Sequence, residues 1–109
     1  MEENVKVYNK LVRDKIPEII SADDRNPVTR ILNEEEYISE LNIKLQEEMK
    51  EYLEDNNVEE LADIVEVIYG ILDYKNVSLE EFESIRLRKV EKRGAFKERI
   101  FLEKVIKKD

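Results

Sequence analysis

Eight carboxylates fall within the seventeen residues of "EEMKEYLEDNNVEELAD", from Glu47 to Asp63. Acids at this density either form a solvated surface or converge on a hard cation. Their spacing narrows the choice. On a helix, positions i and i+3 lie about 60° apart, one stacked above the other. Glu48 with Glu51, and Glu60 with Asp63, have that spacing. If two helices carrying these pairs turn back on each other near residues 55–56, Glu51 lies level with Glu60 and Glu48 with Asp63. Each three-residue step rises roughly 4.5 Å, so the four would form a compact square suited to one or two Mg²⁺ ions with waters.

Helix phase separates these acids from their neighbours. With Leu45 at the centre of the first helix's apolar face, Glu48 falls about 60° off it, Glu51 about 120° and Glu47 about 160°. Glu47 therefore reads as outward-facing, and Glu54, Asp55 and Glu59 as solvated. Competing roles remain open for the others. Glu60 stands three residues after Asn57, the arrangement of a capping box. Asp63 and Glu66 lie among apolar residues, where a carboxylate needs either a metal or a Lys or Arg partner.

Composition restricts the chemistry further. The chain has no Cys and no His, which removes disulfides, thiolate and imidazole metal sites, cysteine nucleophiles and the commonest general base. Any metal must be held by oxygen, so Mg²⁺, Mn²⁺ or Ca²⁺ lead. The net charge of −8 argues against a nucleic-acid partner. Residues 34–66 hold thirteen acids and two bases, whereas residues 86–108 hold ten bases and three acids. Such segments either neutralise each other or set cation-binding acids against anion-binding bases across a site. No run approaches the roughly 20 apolar residues of a membrane span, and "MEENVKVYNK" lacks an apolar signal core. The expectation is a soluble, cytoplasmic protein with no membrane partner.

The elements that must position these acids are mostly helical. The length of 109 residues suits a single domain, 1–109, and abundant Glu, Lys, Leu and Ile favour an all-α fold. We expect an antiparallel helical bundle of about four helices, with short extended segments near 28–32 and 98–106. Asp14 is positioned to cap a short helix with Pro17 in its first turn and Ile16, Ile19 and Ile20 facing the core. Leu41, Leu45, Met49 and Tyr52 mark one face of a helix over about 34–54. Asn57 caps the next, about 58–74, which is apolar nearly all round from Leu61 to Leu72 and so reads as central and buried. Ser78 with Glu81 opens a helix of about 79–93, and Gly94 closes it. The tail after Glu98 reads as a strand or a final helix.

The "EEMKE" and "ELAD" segments resemble the EExxE and ExxD motifs of the MazG-like all-α nucleoside triphosphate pyrophosphohydrolases. That superfamily includes phosphoribosyl-ATP pyrophosphohydrolase and dimeric dUTPases. "YNKLVRDKIPEII" (8–20), "VTRIL" (28–32) and "KRGAFKERIFLEKV" (92–105) are similar to signatures of one small branch, so the resemblance covers almost the whole chain. It implies a helical homodimer or homotetramer and Mg²⁺-dependent cleavage between the α- and β-phosphates of a nucleotide, with Mn²⁺ as a substitute. The implied metal ligands are Glu48, Glu51, Glu60 and Asp63. Glu47 matches the first Glu of the motif. One departure is that only eight residues separate Glu51 from Glu60, fewer than the usual interval.

Phosphoanhydride cleavage needs charge neutralisation and an in-line water more than a covalent nucleophile. Glu48 or Glu51 could take the water's proton. Candidate phosphate partners are Lys10, Arg13 and Lys15 before the acids, and Lys89, Lys92, Arg93 and Arg99 after them. Tyr8 and Phe96 either stack on a nucleobase or pack in the core. Two rival readings are a non-catalytic acidic helical interaction module and a phosphoribosyl-ATP pyrophosphohydrolase of histidine biosynthesis.

Overall fold

A computed structural model describes residues 4–109. The chain is all-α, with four helices and, among the described residues, no strand. They are α1 (Ile16–Ala22), α2 (Glu34–Asp55), α3 (Val58–Tyr74) and α4 (Leu79–Arg93). Segments 28–32 and 98–106 carry neither helix nor strand. No helix among the described residues is long and apolar enough to cross a membrane. The residues divide into two compact units, Met1–Val77 and Ser78–Asp109.

In the first unit, α2 and α3 form an antiparallel hairpin. Local chemistry sets its ends. Asn33 accepts the Glu36 amide at 2.9 Å, and the Glu36 side chain accepts the Asn33 amide at 3.3 Å, a complete capping box. Arg30 donates to both Glu36 oxygens at 3.2 and 3.0 Å, tying the incoming chain to the first turn. Asn56, in the left-handed region at φ 56°, ends α2 and donates its amide to the Tyr52 carbonyl. Asn57 then turns extended and caps α3 by accepting the Glu60 amide at 3.0 Å. Two asparagines thus make the whole turn. At the far end of α3, Asn76 (φ 58°) and Val77 donate to the Asp73 and Leu72 carbonyls, a Schellman closure.

The hairpin closes tightly away from the turn. A Cβ on Gly70 would lie 3.0 Å from Leu41 Cδ2, so the absent side chain lets the helices approach. Leu41 is 4% exposed, and Tyr37 meets Tyr74 edge to face with centroids 6.3 Å apart. Leu41 pairs with Gly70, and Tyr37 with Tyr74, in one register. Extended toward the turn, that register sets Glu48 level with Asp63 and Glu51 with Glu60.

Three expectations need correction. Lys15, not Asp14, is the N-cap of α1, and it makes no side-chain cap bond. Ile19 is exposed, while Ile16 and Ile20 are half-buried. Within this chain α3 is not central. Val67 and Leu72 are buried, but Val58, Leu61, Val65 and Tyr69 are exposed. Apolar periodicity reports that a face favours cover and does not say whether the same chain provides it.

In the second unit, Ser78 caps α4 by accepting the Glu81 amide at 3.1 Å, and Gly94 ends it at φ 81°. Glu83 and Arg86 pair along its surface. The helix buries no residue, and the segment after it leaves Phe96, Ile100, Phe101 and Leu102 exposed. Neither Phe96 nor Tyr8 packs in a core.

Candidate metal centre

Glu48 is the one buried charged residue among the described ones, at 8% exposure. The hairpin puts it there: its edge position on α2 turns inward, and α3 covers it. Glu60 and Asp63 approach from α3, both half-buried. One carboxylate oxygen from each of Glu48, Glu60 and Asp63 lies within 4.8 Å of the others. Opposed oxygens around Mg²⁺ stand about 4 Å apart, so the group is slightly open for a bare ion and suits a partly hydrated one.

Two atoms of this cluster have no partner among the described residues. Glu48 Oε2 and Glu60 Oε2 are buried and accept no hydrogen bond from them. Buried acceptors without donors are rare in folded proteins. The absence is sharper for Glu60, because its amide is capped by Asn57 and its carboxylate does not return the bond. Burial pushes the Glu48 carboxyl above its ordinary value, helped by a hydrogen bond and charge from Glu51. Burial also raises Glu60, with further pressure from Glu51, Asp63, Asp55 and Glu48. Both groups therefore sit in surroundings that disfavour a bare negative charge. An oxygen-only donor set with two orphaned atoms fits a hard divalent cation.

Glu51 is not one of the converging three. It is exposed, consistent with a phase about 120° from the apolar face, yet it acts on Glu48 through a side-chain hydrogen bond and charge, and on Glu60 through charge. Glu47 is half-buried rather than outward, between Lys10 and Lys44 at 3.7 Å each. Lys44 also reaches Glu48 Oε1 at 3.7 Å.

The basic candidates fall into two sets. Lys10 and Arg13 lie in the non-helical stretch before α1 and straddle the hairpin. Lys10 touches α2 through Glu47, and Arg13 donates to Asp63 Oδ1 on α3 at 2.5 Å. The positive φ of Asn9 (47°) helps bend this stretch. Lys15 is exposed at the start of α1. Lys89, Lys92 and Arg93 on α4, and Arg99 beyond it, are exposed in the second unit. Two features were not anticipated: the Lys44 bridge, whose three- and four-residue spacing to Glu47 and Glu48 was a readable signal, and the exact partner of Arg13, fifty residues away, which had none. A shallow groove beside the cluster is lined by Val58, Leu61, Val65 and Tyr69, with Arg13 and Glu66 also on its wall.

No family model matches the chain, and no solved structure matches it. A protein of Mycolicibacterium smegmatis described as uncharacterized is 52% identical over 42 residues, 38% of this chain. The chain spans 43% of that relative's length.

Proposed function

We propose that this chain is a MazG-like nucleoside triphosphate pyrophosphohydrolase that cleaves its substrate, non-canonical nucleotides included, to the monophosphate and pyrophosphate. The observation that carries the reading is the convergence of Glu48, Glu60 and Asp63 with two buried, partnerless oxygens. These three would hold Mg²⁺, or Mn²⁺ in its place, with Glu51 beside them. Bound there, the cation would neutralise phosphate charge and lower the pKa of a coordinated water. Glu51 is exposed and free of protein ion pairs among the described residues, which suits it to accept a proton from an attacking water. Glu48, with its raised affinity for a proton, is the other candidate base. Lys10 and Arg13, at the rim of the cluster, would meet the phosphates, and Lys15 adds positive charge in the same unit.

The test is a panel of canonical, oxidised and deaminated nucleoside triphosphates with Mg²⁺, assayed for pyrophosphate. At least one should yield pyrophosphate and a monophosphate. Orthophosphate alone, or no product across the panel, supports the rival reading of a non-catalytic interaction module. The exposed Val58, Leu61, Val65 and Tyr69 face of α3 favours association in either case. We expect a homodimer or homotetramer in the cytoplasm, and sedimentation of the intact chain with and without Val65→Glu tests the assembly.

A further inference from the structure

We infer that Arg13 is a built-in counter-cation of the acid cluster, which gives up Asp63 to a divalent ion and is thereby released to grip the substrate's phosphates. The inference rests on the proposed metal-dependent function and adds an order of events and a residue that links them.

The cluster is neutralised unevenly. Asp63 has a guanidinium on it at 2.5 Å, Glu48 has Lys44 at 3.7 Å on one oxygen, and the second oxygens of Glu48 and Glu60 have no hydrogen-bond partner among the described residues. The strongest pair is therefore made by a residue from outside the hairpin. Arg13 belongs to a non-helical stretch, and its side chain is more than half exposed. It can leave without unwinding a helix or opening the packed end of the hairpin. Lys10, held more loosely to Glu47 at 3.7 Å, keeps the same stretch against α2 while Arg13 moves.

Charge decides the exchange. A divalent cation drawn to Glu48 and Glu60 would stand within a few ångströms of the Arg13 guanidinium, and the two repel. Asp63 cannot satisfy both at full strength. Once Asp63 turns to the ion, Arg13 holds a charged, five-donor fork at the rim of the site with no carboxylate partner. That fork matches two oxygens of a phosphate or pyrophosphate group. Anion binding then favours the released arginine, so cation and anion reinforce each other, and by linkage each raises the other's affinity by the same factor. The lysine of the same stretch supplies charge without that planar geometry.

The test uses the intact chain, with melting temperature followed during Mg²⁺ titration and inorganic pyrophosphate as the anion probe. Without an anion, Arg13→Gln should melt lower than wild type and reach half-maximal response at about fivefold less Mg²⁺ or lower still, so that the gap closes as Mg²⁺ rises. At saturating Mg²⁺, pyrophosphate should stabilise wild type further and Arg13→Gln little. Arg13→Lys keeps the charge and guards against a folding defect in the glutamine variant. It should keep a wild-type Mg²⁺ midpoint while losing most of the pyrophosphate response. An Arg13→Gln midpoint equal to or above that of a Mg²⁺-responsive wild type overturns the exchange and leaves the metal site standing. A wild type insensitive to both Mg²⁺ and Mn²⁺ overturns the metal site itself, and the exchange with it.

Discussion

Away from its turn, the α2/α3 hairpin closes on Leu41, Gly70 and the Tyr37–Tyr74 edge contact. Near the turn, the same two helices in the same register bring together Glu48, Glu60 and Asp63. One end buries apolar surface and packs to van der Waals distance. The other buries a carboxylate and leaves two oxygens without hydrogen-bond partners among the described residues. Identical geometry thus supports opposite chemistry. The apolar end holds the register, and the polar end uses it to keep like charges closer than they would choose. Repulsion at one end is tolerated because the other end, and the two-asparagine turn, leave the helices little freedom to splay.

The largest effect should come from the acids themselves. Asp63→Asn and Glu48→Gln should each lower Mg²⁺-dependent pyrophosphate release by at least about a hundredfold and abolish the rise in melting temperature with Mg²⁺. An unchanged Mg²⁺ response in both variants would mean that the polar end holds no cation.

Next comes the packed end. Gly70→Val should cost about 1–3 kcal/mol, because its branched side chain meets Leu41 where a single Cβ is already at 3.0 Å. In denaturant titrations this should appear as a lower midpoint. Gly70→Ala should cost less, since alanine's better helix propensity offsets part of the contact. If the two ends are coupled, Gly70→Val should also weaken the Mg²⁺ response, although it touches no carboxylate.

A smaller effect distinguishes the ends by pH. The folded chain raises the Glu48 and Glu60 carboxyls above their ordinary values. Such groups cost nothing while protonated in both states; the stability is lost as pH rises through their folded values. Metal-free Glu48→Gln should therefore melt a few degrees above wild type near pH 7, with the gap shrinking toward about pH 4. Glu36 and Glu83 are lowered by their arginine partners and act in the opposite direction, so comparison must be between variants at equal pH. A gap that grows on acidification would contradict the burial account of Glu48.

The smallest effects belong to the hairpin's caps and outer acids. Asn57→Ala should cost about 1 kcal/mol by removing the cap on Glu60's amide, measured by chemical denaturation. Glu54→Gln and Glu59→Gln, both exposed and outside the cluster, should leave the Mg²⁺ response unchanged.

Much of this architecture was legible residue by residue. Caps act within four residues of their helix, which is why α3 and α4 begin and end where Asn57, Ser78 and Gly94 indicate. α2 runs one residue beyond the expected 54, to Asp55, because Asn56 supplies the left-handed cap. The Asn33–Glu36 capping box carried an equally clear local signal. Helix phase and a short turn were enough to set Glu48 against Asp63. Glu51 shares the level of Glu60 and is the exposed member of the four. The separation of Lys15 from Asp14 at the start of α1 is a matter of one residue, where neither side chain makes a cap bond to decide it.

The sequence alone therefore determined the helices, the caps of α3 and α4 and the level at which the acids meet, because those depend on neighbours within a turn or two of the chain. Tertiary structure decided which oxygens are buried and partnerless, which base reaches Asp63 from fifty residues away, and which apolar face of α3 is left uncovered. Those outcomes depend on long-range approach and on competition among several charges for the same space, and no local spacing encodes either.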